Sequence, residues 1–353
     1  MRSKKRFETM AKREHYVVIG NGVAGTEAAL QLRQRDQNSH ITMLTAGKLL
    51  SINRYELPKV FSPGDADWRD FLLHPPEYYD EHEISIQRNI WVTHINAAEK
   101  LLMLRHRESL SYTKLLIASG GGRYIPESLN QFRDLMEKFG TYEQAKSVSE
   151  ALPKGGHVVM LGGDMIGLDL ARSLIKYGFR VTVIGQEYLF WPHHVEPAEK
   201  QRFATILQDM GISVRNYASV ESIEQGKSAK KARHIVLNDG KTIDADIILS
   251  FCGLMPSLAF MAGAGVDIER GVLVDPHLKS TDKNIWAAGD VCQIWSPEEN
   301  RYRFYYGWEN VKEMGRVAAF NMTGGNESIS TFQDERLIVT DTGEIDSPFW
   351  QFS

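Results

Sequence analysis

Two glycine-rich turns carry the clearest chemistry in this sequence. The first, Gly20-Asn-Gly22-Val23-Ala24-Gly25, spells G-x-G-x-x-G inside the stretch HYVVIGNGVAGTEAALQL, residues 15–32. A β-branched apolar run precedes it, and a helix with small residues on one side follows. That context predicts a phosphate cradle. Gly20 makes the tight turn, Gly22 admits a pyrophosphate, and Gly25 lets helix and strand pack closely. The helix N-terminus, with Val23 and Ala24 in its first turn, adds N–H groups and positive dipole. The second turn, Gly162-Gly163-Asp164-Met165-Ile166-Gly167, lies in HVVMLGGDMIGLDLARSL, residues 157–174. It repeats the pattern with one departure: Asp164 stands where the middle glycine belongs. A carboxylate there takes space and repels phosphate.

The elements that must position these turns alternate between strand and helix, which predicts an α/β fold with parallel sheets. Each turn leads to a further strand, HITMLT at 40–45 and FRVTVIG at 179–185. An acidic residue commonly ends that strand and binds an adenosine ribose. Here the two places hold Thr45, whose hydroxyl is the weaker partner, and Ile184-Gly185. Between the units lie a Pro-rich stretch, short strands, a helix-like segment at Asn130–Phe139, and a breaker cluster at Pro153–Gly156 that reads as a linker. Beyond the second unit the pattern predicts a helix at Glu196–Met210 and strands at Ile212–Val214, Ile235–Leu237 and Ala245–Phe251. A hairpin turn falls at Asn238-Asp-Gly240, and a helix spans about Gly307 to Met322. From Asn326 onward no strong period remains.

The 353 residues suffice for two domains, and a net charge of −4 makes no case for nucleic acid as a partner. The one basic run, residues 2–13, is followed by no apolar stretch; it predicts a disordered, solvated lead-in rather than a secretory signal. No segment reaches the ~20 apolar residues of a membrane span. The two cysteines, Cys252 and Cys292, lie far apart in apolar surroundings. They predict core thiols, a reducing cytoplasmic setting and no metal site.

Three further segments go beyond a generic nucleotide-binding fold. Residues 112–121, YTKLLIASGG, residues 284–292, NIWAAGDVC, and residues 308–324, WENVKEMGRVAAFNMTG, resemble successive motifs of the pyridine nucleotide–dependent FAD oxidoreductases. The order and spacing also match. The resemblance implies two Rossmann-type nucleotide-binding domains in the glutathione reductase-like arrangement, with FAD on the first and NAD(P)H on the second. It places the ribityl chain at Asp290, with Gly289 and Val291 beside it, and the diphosphate and adenosine near Val92, Ala118, Ser119 and Gly120. Within the family the sequence is most similar to the subgroup without a redox disulfide, which includes rubredoxin and ferredoxin reductases and nitrite reductase flavin domains. That subgroup's R-P-x-L-S-K segment corresponds to Arg54-Tyr-Glu-Leu-Pro-Lys59. The resemblance implies Arg54 as a flavin contact, Trp308 bordering the flavin, and a Lys59–Asp169 ion pair beside flavin N5. A chain with no Cys before position 252 does not suit thiol or sulfenate chemistry in that segment.

The implied domains are a lead-in at 1–13, an FAD-binding domain at 14–146 plus 254–325, an NAD(P)-binding-like domain at 147–253, and a tail at 326–353. Family members usually continue into a third domain. The apolar end of the tail, Phe349, Trp350 and Phe352, would suit docking on a partner or a second copy. Two functions stay open. One is an enzyme passing electrons between NAD(P)H and a small redox protein or metal centre through flavin N5. The other is an FAD-binding electron-transfer or structural subunit of a larger complex whose second site is degenerate. A membrane-associated quinone reductase shares the two-domain plan but finds no basic amphipathic tail here.

Overall fold

The computed structural model describes residues 13–64, 67–185, 187–216, 218–225, 233–329, 338–339, 343 and 345–346. The chain opens with strand β1 (His15–Ile19), helix α1 (Val23–Arg35), strand β2 (His40–Leu44), strand β3 (Ile84–Gln87) and strand β4 (Lys114–Ile117). It continues through β5 (His157–Gly162), α2 (Met165–Lys176), β6 (Arg180–Ile184), β7 (Ser213–Arg215) and β8 (Ile247–Phe251). It then returns through β9 (Ile285–Ala287) to helix α3 (Trp308–Met322). Two parallel sheets result. The first has the order β9-β4-β1-β2-β3 and the second β7-β6-β5-β8. Strand β9 pairs with β4, Ile285 opposite Leu115, so the segment carrying the second sheet is inserted into the first unit.

The strands are near-continuous apolar runs because helices or loops cover both faces of each sheet. Val17, Val18, Leu115, Leu116 and Ile117 have no exposed surface in the first core; Val158, Val159, Met160, Ile248 and Leu249 have none in the second sheet. Helix α3 packs along α1, and small residues allow the approach: a Cβ on Gly315 would stand 2.4 Å from the Ala24 carbonyl oxygen. Both cysteines are buried and free.

Most predicted elements form. The later helix spans Pro197–Asp209, and Arg233–Leu237 pairs antiparallel with Thr242–Ala245 across the predicted hairpin turn. The helix expected at Asn130–Phe139 does not form. A short helix ends at Asn130 and a 3-10 turn occupies Arg133–Leu135. The chain then extends so that Glu137 bridges Leu249 at the edge of the second sheet. Phe132 and Met136 are buried by that route, so their apolar spacing serves an irregular segment. The basic lead-in, apart from Arg13, and the aromatic end of the tail lie outside the described residues. Within the tail, Ile345 is buried in the second core. No helix among the described residues is long and apolar enough to cross a membrane.

Candidate functional site: an open turn and a filled one

The first turn sits at the carboxyl end of β1, beside β4. Gly20 has φ +108, and a Cβ there would fall 2.1 Å from the Ala118 carbonyl oxygen, so both conformation and space demand glycine. Gly25 is equally constrained: its Cβ would lie 2.1 Å from the Gly20 carbonyl oxygen. Gly22 differs. It is exposed, its φ of −73 is open to any residue, no side chain caps α1, and a Cβ built on it would meet nothing within 4 Å. The helix N-terminus therefore faces open space, the arrangement that receives a phosphate.

The AAGD segment closes the same mouth. Gly289 has φ +83 and its Cβ position lies 3.3 Å from the Ala24 side chain, so the turn after β9 is pressed onto the start of α1. Its N–H meets the Met314 sulfur of α3 at 3.2 Å. Val291 is buried, which fixes the backbone on the far side of Asp290. The Asp290 carboxylate makes no hydrogen bond or ion pair among the described residues. Burial pushes it up to about 6, with the Arg54 charge opposing. A half-buried carboxylate without a donor suits the hydroxyls of a bound polyol.

Arg54–Lys59 lies in a 3-10 helix, Arg54–Phe61, whose N-cap Asn53 accepts from the Tyr55 N–H. Arg54 is exposed. Tyr55 contacts the Trp308 ring edge-on, centroids 5.6 Å apart. Burial and the charges of Asp290 and Asp169 raise its hydroxyl above the usual tyrosine range. Tyr55 thus stands where the two units meet, and the sequence reading passed over it; an aromatic in place of the subgroup's proline was the available signal. The Lys59–Asp169 ion pair expected above is not formed. Lys59 is exposed and pairs with Glu56 one turn back, the nearer carboxylate on its own helix. Asp169 is buried and pairs with Arg172 at 3.6 Å.

The remaining candidates are placed as follows. Thr45 is buried, its hydroxyl donates to Asn21 Oδ1 at 2.9 Å and accepts from the Gly47 N–H. It shapes the loop beside the turn, and its donor proton is directed to Asn21. Ala118 is buried against Gly20, the Ser119 hydroxyl donates to the Ser257 carbonyl, and Gly120 has φ +64. Val92 packs on the first core from strand Val92–Asn96.

The second turn has the same frame and a different content. Gly162 has φ +107 and Gly163 φ +143, and a Gly162 Cβ would lie 2.0 Å from the Phe251 carbonyl oxygen. A Cβ on Gly167 would stand 2.5 Å from the Phe251 ring, so the helix–strand contact needs glycine as predicted. Met165 is buried, whereas Ile166 is exposed. Asp164 fills the mouth: it is buried, and its carboxylate accepts from the Gly167 N–H and the Gly253 N–H, both at 2.8 Å.

The first turn and Asp290 thus have the open donors and unpartnered acceptor that FAD requires, while at the second turn the Asp164 carboxylate holds the Gly167 and Gly253 N–H groups. Comparison with known proteins supplies the lineage. The putidaredoxin reductase CamA of Pseudomonas putida is 25% identical over 322 residues, 89% of this chain and 75% of the relative. The rubredoxin-NAD(+) reductase of Pseudomonas putida is 29% identical over 274 residues, 78% of this chain and 71% of the relative. The covalent putidaredoxin reductase–putidaredoxin complex shares the fold at TM-score 0.80 and 23% identity, covering 92% of this chain and 78% of that one. Residues 14–315 match the family described as pyridine nucleotide-disulphide oxidoreductase, and the chain belongs to that family.

Proposed function

We propose that this chain is an FAD-dependent oxidoreductase that passes electrons between NAD(P)H and a small redox protein or metal centre. The observation that carries this reading is the open first turn facing the unpartnered carboxylate of Asp290. The relatives' names, putidaredoxin reductase and rubredoxin-NAD(+) reductase, support a small redox protein as the other partner. Bound at the first turn, FAD supplies hydride acceptance at N5 and release of single electrons. Val23, Ala24 and Gly25 would cradle its diphosphate, and Asp290 would hold its ribityl hydroxyls. Ala118, Ser119 and Gly120 would line the diphosphate, while Tyr55 and Trp308 would wall the ring side, with Arg54 offsetting the charge of Asp290. Residues 14–146 plus 254–325 would form the flavin domain and 147–253 the second. Two buried free thiols suit a reducing, cytoplasmic setting. The tail, 326–353, would serve contact with a partner or a second copy.

A second reading, an electron-transfer subunit with a degenerate nicotinamide site, is favoured by one observation, the carboxylate inside the second turn. Anaerobic titration of the FAD-loaded protein with NADH and then NADPH, with dithionite as control, separates the two. Bleaching of the flavin band by nicotinamide supports the first; bleaching by dithionite alone supports the second. A protein that holds no FAD refutes both.

A further inference from the structure

The middle residue of the two turns has nearly the same backbone in both: φ −73 and ψ −172 at Gly22, φ −63 and ψ 165 at Asp164. Neither conformation needs glycine. What separates the turns is therefore the side chain and what it does with the helix N-terminus. At α2 the N–H groups of residues 163–165, 167 and 168 are spent within the protein. Gly163 and Asp164 donate to the Phe251 carbonyl at 2.7 and 3.0 Å, Met165 to the Trp191 carbonyl at 2.9 Å, and Leu168 to the Asp164 carbonyl at 2.9 Å. Gly167 donates to the Asp164 carboxylate at 2.8 Å. The other carboxylate oxygen takes the Gly253 N–H from the loop after β8.

The rim is closed by the chain that follows β6. The Phe190 N–H reaches the Gly163 carbonyl at 2.7 Å. The Leu189 side chain lies 2.7 Å from the Cβ position of Gly163 and 3.0 Å from that of Gly185. Trp191 covers Gly253, its ring 2.9 Å from that Cβ position. An acidic side chain at Gly185, the usual ribose acceptor, would collide with this packing and with the Gly162 carbonyl oxygen, 2.9 Å away. A carboxylate bound by N–H groups from a helix start and a neighbouring loop reproduces the contacts that a phosphate makes in an open turn.

We propose that Asp164 is a built-in anion standing in for the dinucleotide pyrophosphate, and that it sets this chain's affinity for nicotinamide dinucleotide by competing for the second turn. The proposal rests on the reading above only in taking this turn as the place where a nicotinamide dinucleotide would dock. Asp164 is a specificity-determining residue and touches no reacting atom. It holds the second turn shut while the first stays open, so one fold keeps an affinity for FAD and lowers that for NAD(P).

Calorimetric titration of the FAD-loaded protein with NAD+ at pH 8 tests this, comparing wild type with Asp164→Gly and Asp164→Asn. The expected result is weak binding by wild type and a gain of about tenfold or more in Asp164→Gly. Asp164→Asn, which keeps the volume and removes the charge, is expected to gain less. Retained flavin absorbance and thermal midpoint verify that each variant is folded, and the Asn variant carries the test if the Gly variant is not. Wild-type binding as tight as that of the folded variants, or no gain in either, overturns the proposal. FAD content and dithionite reduction, measured on the same samples, report on the flavin reading separately.

Discussion

Replacing Gly22 by alanine separates binding from folding. The backbone at Gly22 has φ −73, and a Cβ there meets no atom within 4 Å. The apoprotein should therefore stay within about 1 kcal/mol of wild type, because alanine restricts the unfolded chain while serving less well than glycine as the N-cap of α1. The same methyl points into the space a pyrophosphate would use. Crowding a close-packed contact costs about 1–3 kcal/mol, which weakens FAD binding by roughly 5- to 150-fold. Gly25→Ala is the contrasting variant. Its Cβ would lie 2.1 Å from the Gly20 carbonyl oxygen, a backbone atom that cannot swing aside, so the protein itself should lose stability. The assay is quenching of FAD fluorescence on titration into apoprotein, with thermal melting of the same samples. If Gly22→Ala bound FAD like wild type, no pyrophosphate would pass over this turn; if its apoprotein melted as early as that of Gly25→Ala, the space argument would be wrong.

Three further outcomes follow from the packing and charge. Gly167→Ala should cost about 1–3 kcal/mol in denaturant titration, because its Cβ would press on the Phe251 ring at 2.5 Å. Cys252 and Cys292 should resist alkylation in the folded protein and react fully in denaturant, since burial raises both thiols, Cys252 to about 12. Burial raises the Asp164 carboxyl from 3.8 to about 6. The folded state therefore holds that proton more tightly than the unfolded one, and this group's contribution to stability is greatest below pH ~4 and is lost as pH rises through ~6. The stability of wild type relative to Asp164→Asn should fall over that window by about 3 kcal/mol, measured by urea unfolding at a series of pH values.

Both glycine turns were legible in the sequence because an apolar β-branched run precedes each and a helix follows, and because Gly20, Gly25 and Gly162 answer to backbone collisions. The order of the two units followed from the same signals. What the sequence could not show were matters of direction. Asp164 was visible as a misplaced carboxylate, but its turning inward to cap its own helix depends on the Gly253 N–H, 89 residues later in the chain. The Lys59–Asp169 pair failed because a 3-10 helix puts Glu56 one turn from Lys59. Residues 130–139 looked helical because Phe132, Leu135 and Met136 repeat at helical spacing. They instead fill the edge of the second sheet, where a β-bridge to Leu249 wins over a local helix.

On the reading proposed above, the flavin sits on the first turn and is held by Asp290. Calorimetric titration of apoprotein with FAD, in wild type and Asp290→Ala, tests it most directly. Wild type is expected to take up one FAD per chain and the variant to bind about tenfold or more weakly, with an apoprotein melting point no lower than that of wild type because burial opposes the Asp290 charge. No FAD uptake by wild type, or equal affinity in the two proteins, would contradict it.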